Sequence, residues 1–171
     1  MGLKEIISKR IALMKLILAG FEGNANSSKI LLDYINNDCK KIYLPNDTIN
    51  SVNILANSLD NTDLIIAVGQ KPLIKDKLCI ELQAKKDNKT LNTIFPVKQL
   101  EDIIKPLYEV SYSNNAGTSY CNNLYYHILK LIEEKDLKAK MVFIHIPFLK
   151  NIMLFNNLVY TFELITNSSK Y

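Results

Sequence analysis

Two histidines and three cysteines are all this chain of 171 residues offers for soft-metal ligation or disulfide bonding. Cys39, Cys79 and Cys121 are too few and too irregularly spaced for a disulfide framework, and with only His127 and His145 beside them no zinc-ligand spacing arises. Such thiol usage fits a reducing, cytoplasmic setting, and no metal or other cofactor is expected. No apolar run approaches the roughly 18 residues of a membrane helix. The start does not read as a signal peptide either, because Glu5 sits in the would-be basic region and Lys15 interrupts the apolar run. Neither G-x-G-x-x-G nor G-x-x-x-x-G-K-[ST] occurs, which leaves phosphate cradling unsupported. The net charge of +4 is mild and the longest lysine runs are Lys40-Lys41 and Lys85-Lys86, so no basic stripe points to nucleic acid. There is no internal repeat, low-complexity tract or linker.

What is there suits one well-filled domain. The chain is 48% hydrophobic and 22% charged, ordinary values for a globular protein, and its length supports a substantial core. Residues 1–13 read as an N-terminal amphipathic helical extension, with Leu3, Ile6, Ile7, Ile11 and Leu13 near helical spacing, or equally as upstream sequence ahead of Met14-Lys15. Residues 14–171 then form the single domain.

Short apolar runs alternate with helical patterns along it. Strands are expected at Leu16-Ala19, Ile42-Leu44, Leu64-Val68, Val110-Tyr112 and Met141-Ile144, with an extended stretch at Leu78-Ala84. Helices are expected after a cap at Ser27 or Ser28, over Thr48-Leu59, over Val97-Tyr108 with Pro106 bending or ending it, from the turn before Cys121 to about Glu134, and over Ile152-Ile165. Lys85-Asn92 reads as a polar loop. This alternation argues for an α/β fold with a largely parallel sheet covered on both faces. Ligands in such sheets bind beyond the carboxyl ends of the strands, and Gly20-Phe21, Gly69-Gln70, the Ala116-Gly117 turn and His145 all lie at strand ends.

One pairing carries chemistry. The small-residue turn Ser113-Asn114-Asn115-Ala116-Gly117-Thr118-Ser119-Tyr120 delivers Cys121 to a helix start, where the helix dipole favours thiolate and backbone amides can receive an oxyanion. His145, on the apolar strand Phe143-Ile144-His145-Ile146-Pro147, is the preferred base, the other reading being a core histidine satisfied by a backbone carbonyl. His127 is six residues beyond Cys121 on the same helix and points to a different face. Glu81, in Leu78-Cys79-Ile80-Glu81-Leu82, is either an exposed edge-strand residue or a buried partner for a cation. Cys39 and Cys79 lack turn or capping signals and read as ordinary thiols.

These residues resemble pyroglutamyl peptidase I, the pyrrolidone-carboxylate cysteine peptidases. Met14 to Phe21 with Asn26-Ser27-Ser28, Val68-Gly69-Gln70, Ile80-Glu81, and Ser113 to Asn122 with one extra residue look like that family's motifs in order, and residues 143–147 match its Phe-Ile-His-Ile-Pro outright. The resemblance runs from residue 14 to about 165. It implies a three-layer αβα sandwich, homotetramers, and a Cys121/His145/Glu81 triad that removes N-terminal pyroglutamate from peptides. The lactam would rest against Phe21 and on backbone around Gln70, with Gly69, Ser119 and Tyr120 beside it. The departures fall on the substrate pocket. Glu22-Gly23-Asn24-Ala25 lacks the first loop's second phenylalanine, Ser119 stands where an aromatic residue is usual, and the segment after Glu81 is shortened. The family's arginine after the glutamate has no counterpart, since Arg10 is this chain's only one. Lys89 is the expected stand-in for its charge, although an ammonium does not reproduce a guanidinium fork. The alternatives are a hydrolase using the same triad on another small acyl or lactam substrate, or an inactive relative serving in binding or assembly.

Overall fold

Strand pleating points successive side chains to opposite faces, and in the inner strands both faces are buried. In the computed structural model, which describes Gly2, residues 14–168 and Tyr171, these faces become the two interfaces of a three-layer sandwich. In chain order the elements are β1 (Leu16–Phe21), α1 (Ser27–Tyr34), β2 (Lys40–Leu44), α2 (Asn50–Ala56), β3 (Leu64–Lys71), β4 (Lys77–Glu81), β5 (Gln83–Lys86), β6 (Lys89–Asn92), α3 (Val97–Ile104), β7 (Glu109–Ser113), α4 (Tyr120–Glu134), β8 (Lys140–Pro147) and α5 (Phe155–Thr166). The extension expected over residues 1–13 falls, Gly2 apart, outside the described residues.

Six strands form one sheet in the order β2-β1-β3-β8-β4-β7. The first four are mutually parallel, as the unbroken apolar runs imply. β4 and β7 are parallel to each other, and β4 meets β8 antiparallel through Cys79–His145, Ile80–Ile144 and Glu81–Phe143. The sheet is therefore mostly parallel, with a reversal of direction at its β8–β4 seam.

On one face Ile17, Ala19, Ile65, Ala67, Met141 and Phe143 pack under α2 and α4. On the other, Leu18, Ile66, Val68, Ile80, Val142 and Ile144 pack under α1, α3 and α5. Burying a side chain of this size is worth about 1.5–3 kcal/mol, so a strand as short as β4 is held firmly by Leu78 and Ile80, both fully buried. No helix among the described residues is long and apolar enough to cross a membrane.

Three local expectations give way to tertiary structure. The polar stretch after Glu81 is not a loop: β5 and β6 pair as an antiparallel hairpin, with Lys86 opposite Lys89. The hairpin is held by Asn122, whose side-chain oxygen accepts the Lys85 N–H while its amide donates to the Lys85 carbonyl, at 3.0 and 2.7 Å. The cap of α1 is Asn26 rather than a serine, because its Oδ1 accepts both the Ser28 N–H (3.0 Å) and the Ser28 hydroxyl (2.7 Å). α3 stops at Ile104, two residues before Pro106, which has no N–H with which to continue the helix.

Candidate active site

Strand parity brings the chemistry together. Gly69 and Lys71 on β3, Phe143 and His145 on β8, and Cys79 and Glu81 on β4 alternate onto the face that α4 covers. Of the two readings of Glu81, the buried partner is the one found, because β7 rather than β4 forms the sheet edge. Its Oε1 accepts from His145 Nδ1 at 2.7 Å, with both residues buried. His145 is thus satisfied by a carboxylate and not by a backbone carbonyl.

The same oxygen takes Lys71 Nζ at 3.2 Å and the Cys79 thiol at 3.6 Å. Oε2 has no hydrogen-bond partner among the described residues. Burial alone would raise the Glu81 carboxyl. The hydrogen bond from His145, the nearby Ser113 hydroxyl and the charges of His145 and Lys71 outweigh it and hold the group below its ordinary value.

Cys121 lies in the first turn of α4, after the N-cap Ser119 and the exposed Tyr120. The helix is anchored to the acid from within, because the buried Tyr125 hydroxyl donates to the Glu81 carbonyl at 2.8 Å. Burial opposes the thiolate expected from the helix start. Burial pushes the Cys121 thiol up to about 12, and the charge of Glu81 adds to that. Ser119, the residue's own backbone N–H and Lys71 pull it down less strongly. A helix terminus supplies about half a charge, which does not offset a dry, apolar seat.

That seat is made by Gly69. A Cβ built there would stand 2.6 Å from Cys121 Sγ and 3.0 Å from Phe143 Cζ. Gly69 is also the strand partner of His145, so the thiol rests on the strand position beside the histidine. No hydrogen bond joins Cys121 and His145 among the described residues. Gly69→Ala is expected to destabilise the fold by about 1–3 kcal/mol through overpacking, read from urea midpoints. The loss should shrink when Cys121→Ala is added. An equal loss in both backgrounds would place the clash on Phe143 instead.

Of the other residues picked out by sequence, Phe21 is buried in the same apolar cluster as Cys121 and Ala116. The Gln70 side chain points to the opposite sheet face, where its Oε1 accepts the Ser27 N–H and hydroxyl, both at 3.0 Å. His127 is drawn away to Lys86 Nζ, 2.9 Å distant. Lys89 lies on the hairpin beside Tyr126, His127 and Lys130, so the cation at the site is Lys71. Sequence reasoning missed Lys71 and set Cys79 aside, although each sits two residues along its strand from a residue already singled out. A cavity of about 540 Å³ lined by Met14, Leu16, Cys39 and Thr62 lies at the other ends of these strands and holds none of this chemistry. No cluster of metal-ligating side chains occurs among the described residues.

Comparison with known proteins agrees with this architecture. The pyroglutamyl peptidase family model matches residues 74–159. Pyrrolidone-carboxylate peptidase 2 of Caldanaerobacter subterraneus is 47% identical over 55 residues, 32% of this chain and 27% of that protein. The pyrrolidone-carboxylate peptidase of Fusobacterium nucleatum is 34% identical over 100 residues, 58% of this chain and 44% of that protein. The chain thus spans less than half the length of either curated relative. The crystal structure of Bacillus amyloliquefaciens pyroglutamyl peptidase I superposes with a TM-score of 0.77 at 18% identity, covering 92% of this chain and 97% of that one. That is a likeness of fold.

Proposed function

The chain belongs to the pyroglutamyl peptidase family, and from that premise we propose that it is a cysteine exopeptidase hydrolysing the amide bond after an N-terminal pyroglutamyl residue. The observation that carries this reading is the buried 2.7 Å contact of His145 with Glu81, on the strand neighbouring the glycine against which Cys121 rests.

In the proposed reaction Cys121 Sγ attacks the pyroglutamyl carbonyl carbon as its proton passes to His145. This proton transfer accompanies attack on the carbonyl. The Cys121 side chain turns off Gly69 to meet the imidazole. The oxyanion is received by the free N–H groups in the first turn of α4. Glu81, its charge fixed on the Nδ1 side, holds the ring so that Nε2 faces the thiol and stabilises the imidazolium. His145 then protonates the leaving amine, and the C–N bond breaks. Water, deprotonated by His145, cleaves the thioester to free pyroglutamate and restore the thiol. The lactam rests on Phe21 and on backbone at Gly69-Gln70, since the Gln70 side chain is taken by Ser27, and Ser119 and Tyr120 border the leaving peptide.

One observation favours the runner-up, a relative whose thiol is silent or serves another small acyl substrate: Cys121 is dry and not bonded to His145. A fluorogenic pyroglutamyl amide decides between them. Turnover is expected, with the corresponding prolyl and glutamyl amides processed at least about 100-fold less well, because backbone groups aimed at a lactam are left unpaired by the wrong ring. No turnover, together with Cys121 alkylation no faster than that of a small free thiol, would reject the peptidase.

A further inference from the structure

A buried carboxylate needs a counter-charge at every stage of a reaction, and one that faces only a neutral imidazole does not have it. Glu81 is fully buried, and its carboxylate makes its hydrogen bonds through Oε1. Around it stand His145 from β8, Lys71 from β3, Cys79 on its own strand, the Ser113 hydroxyl from β7, and the Cys121 thiol and Tyr125 phenol from α4. Of these, Lys71 alone is a fixed cation. Its side chain is 32% exposed, so the stem crosses from solvent to the carboxylate.

We propose that Lys71 is a positioning residue whose ammonium keeps Glu81 ionised while His145 is neutral, leaving the imidazole free to take the Cys121 proton. This rests on the reading of Cys121, His145 and Glu81 as the reacting set. The charge count supports it. With Lys71 positive, Glu81 negative, and His145 and the thiol neutral, the resting site sums to zero. After attack the imidazolium and the oxyanion cancel, and the sum is still zero. Without Lys71 the resting site carries a buried net negative charge, which is relieved by retaining a proton on the Glu81–His145 pair. That proton blocks the base.

The sign follows. Removing Lys71 lets the pair hold its proton to higher pH, so the acid side of the rate profile moves upward. The rate of Cys121 carbamidomethylation by iodoacetamide, followed by mass spectrometry across pH, and turnover of the pyroglutamyl amide should be measured for the parent, Lys71→Met and Lys71→Arg. For Lys71→Met the acid limb of both curves is expected to rise by about one pH unit. Turnover below that limb then falls about tenfold in kcat, with KM little changed. Lys71→Arg should restore the parent curves, because it keeps the charge. Superimposable curves for parent and Lys71→Met, or an arginine variant as impaired as the methionine one, would overturn the assignment. Should the parent process no pyroglutamyl amide, the alkylation curves still decide Lys71 while the peptidase reading falls.

Discussion

Cys121→Ala is expected to lower pyroglutamyl-amide turnover on the order of 10⁵-fold or more, the scale seen when the nucleophile of a covalent hydrolase is removed. The fold should survive it. Cys121 is 9% exposed and packs on a glycine and an aromatic ring, so truncation opens a void of about one sulfur atom and costs about 1 kcal/mol. Circular dichroism and urea midpoints close to the parent's, with activity gone, are the expected pair of results. Retention of more than about 1% of parent activity would remove Cys121 from the chemistry, because residual catalysis from binding and the oxyanion amides alone lies far below that.

Glu81→Gln should reduce kcat by about 10³–10⁴-fold, as when an orienting carboxylate becomes an amide and the imidazole tautomer is no longer dictated. It has a second readout that owes nothing to substrate. The folded carboxyl lies below its ordinary value. Its contribution to stability is therefore fully present above the unfolded value of about 4.5 and is lost as pH falls through the folded one. The parent should lose stability more steeply than Glu81→Gln below about pH 4.5, while near neutrality the variant, with Lys71 deprived of its partner, should be the weaker. Urea midpoints at several pH values test this. Parallel curves would mean that the Glu81 carboxyl titrates alike in the folded and unfolded protein.

Much of the candidate site is legible in the sequence. Cys121 announced itself by the glycine turn ahead of a helix, and His145 by its place on an apolar strand ending at Pro147. What escaped the sequence was set by neighbours distant along the chain. Leu78-Cys79-Ile80 reads the same in either direction, so the reversal of β4 against β8 was invisible, and with it the fate of Glu81. The half-charge of a helix start is local and was anticipated. The apolar seat that outweighs it depends on Gly69, some fifty residues upstream. Lys71 was masked by an ordinary abundance of lysines, and its parity with Gly69 was the usable signal. Lys89 was expected to replace the missing arginine's charge, but it lies on the hairpin away from the site.

The strand order carries a consequence for how the molecule is made. β3 and β4 are near neighbours in sequence but never touch as strands, since β8 occupies the slot between them. A nascent chain that has emerged only as far as Lys135 owns two apolar strands with unpaired edges and nothing to join them, a state open to association with other chains. Insertion of β8 closes both edges at once and in the same step sets His145 against Glu81 and beside Gly69. The pairing that completes the sheet is thus also the one that brings His145 to Glu81, and it is long-range.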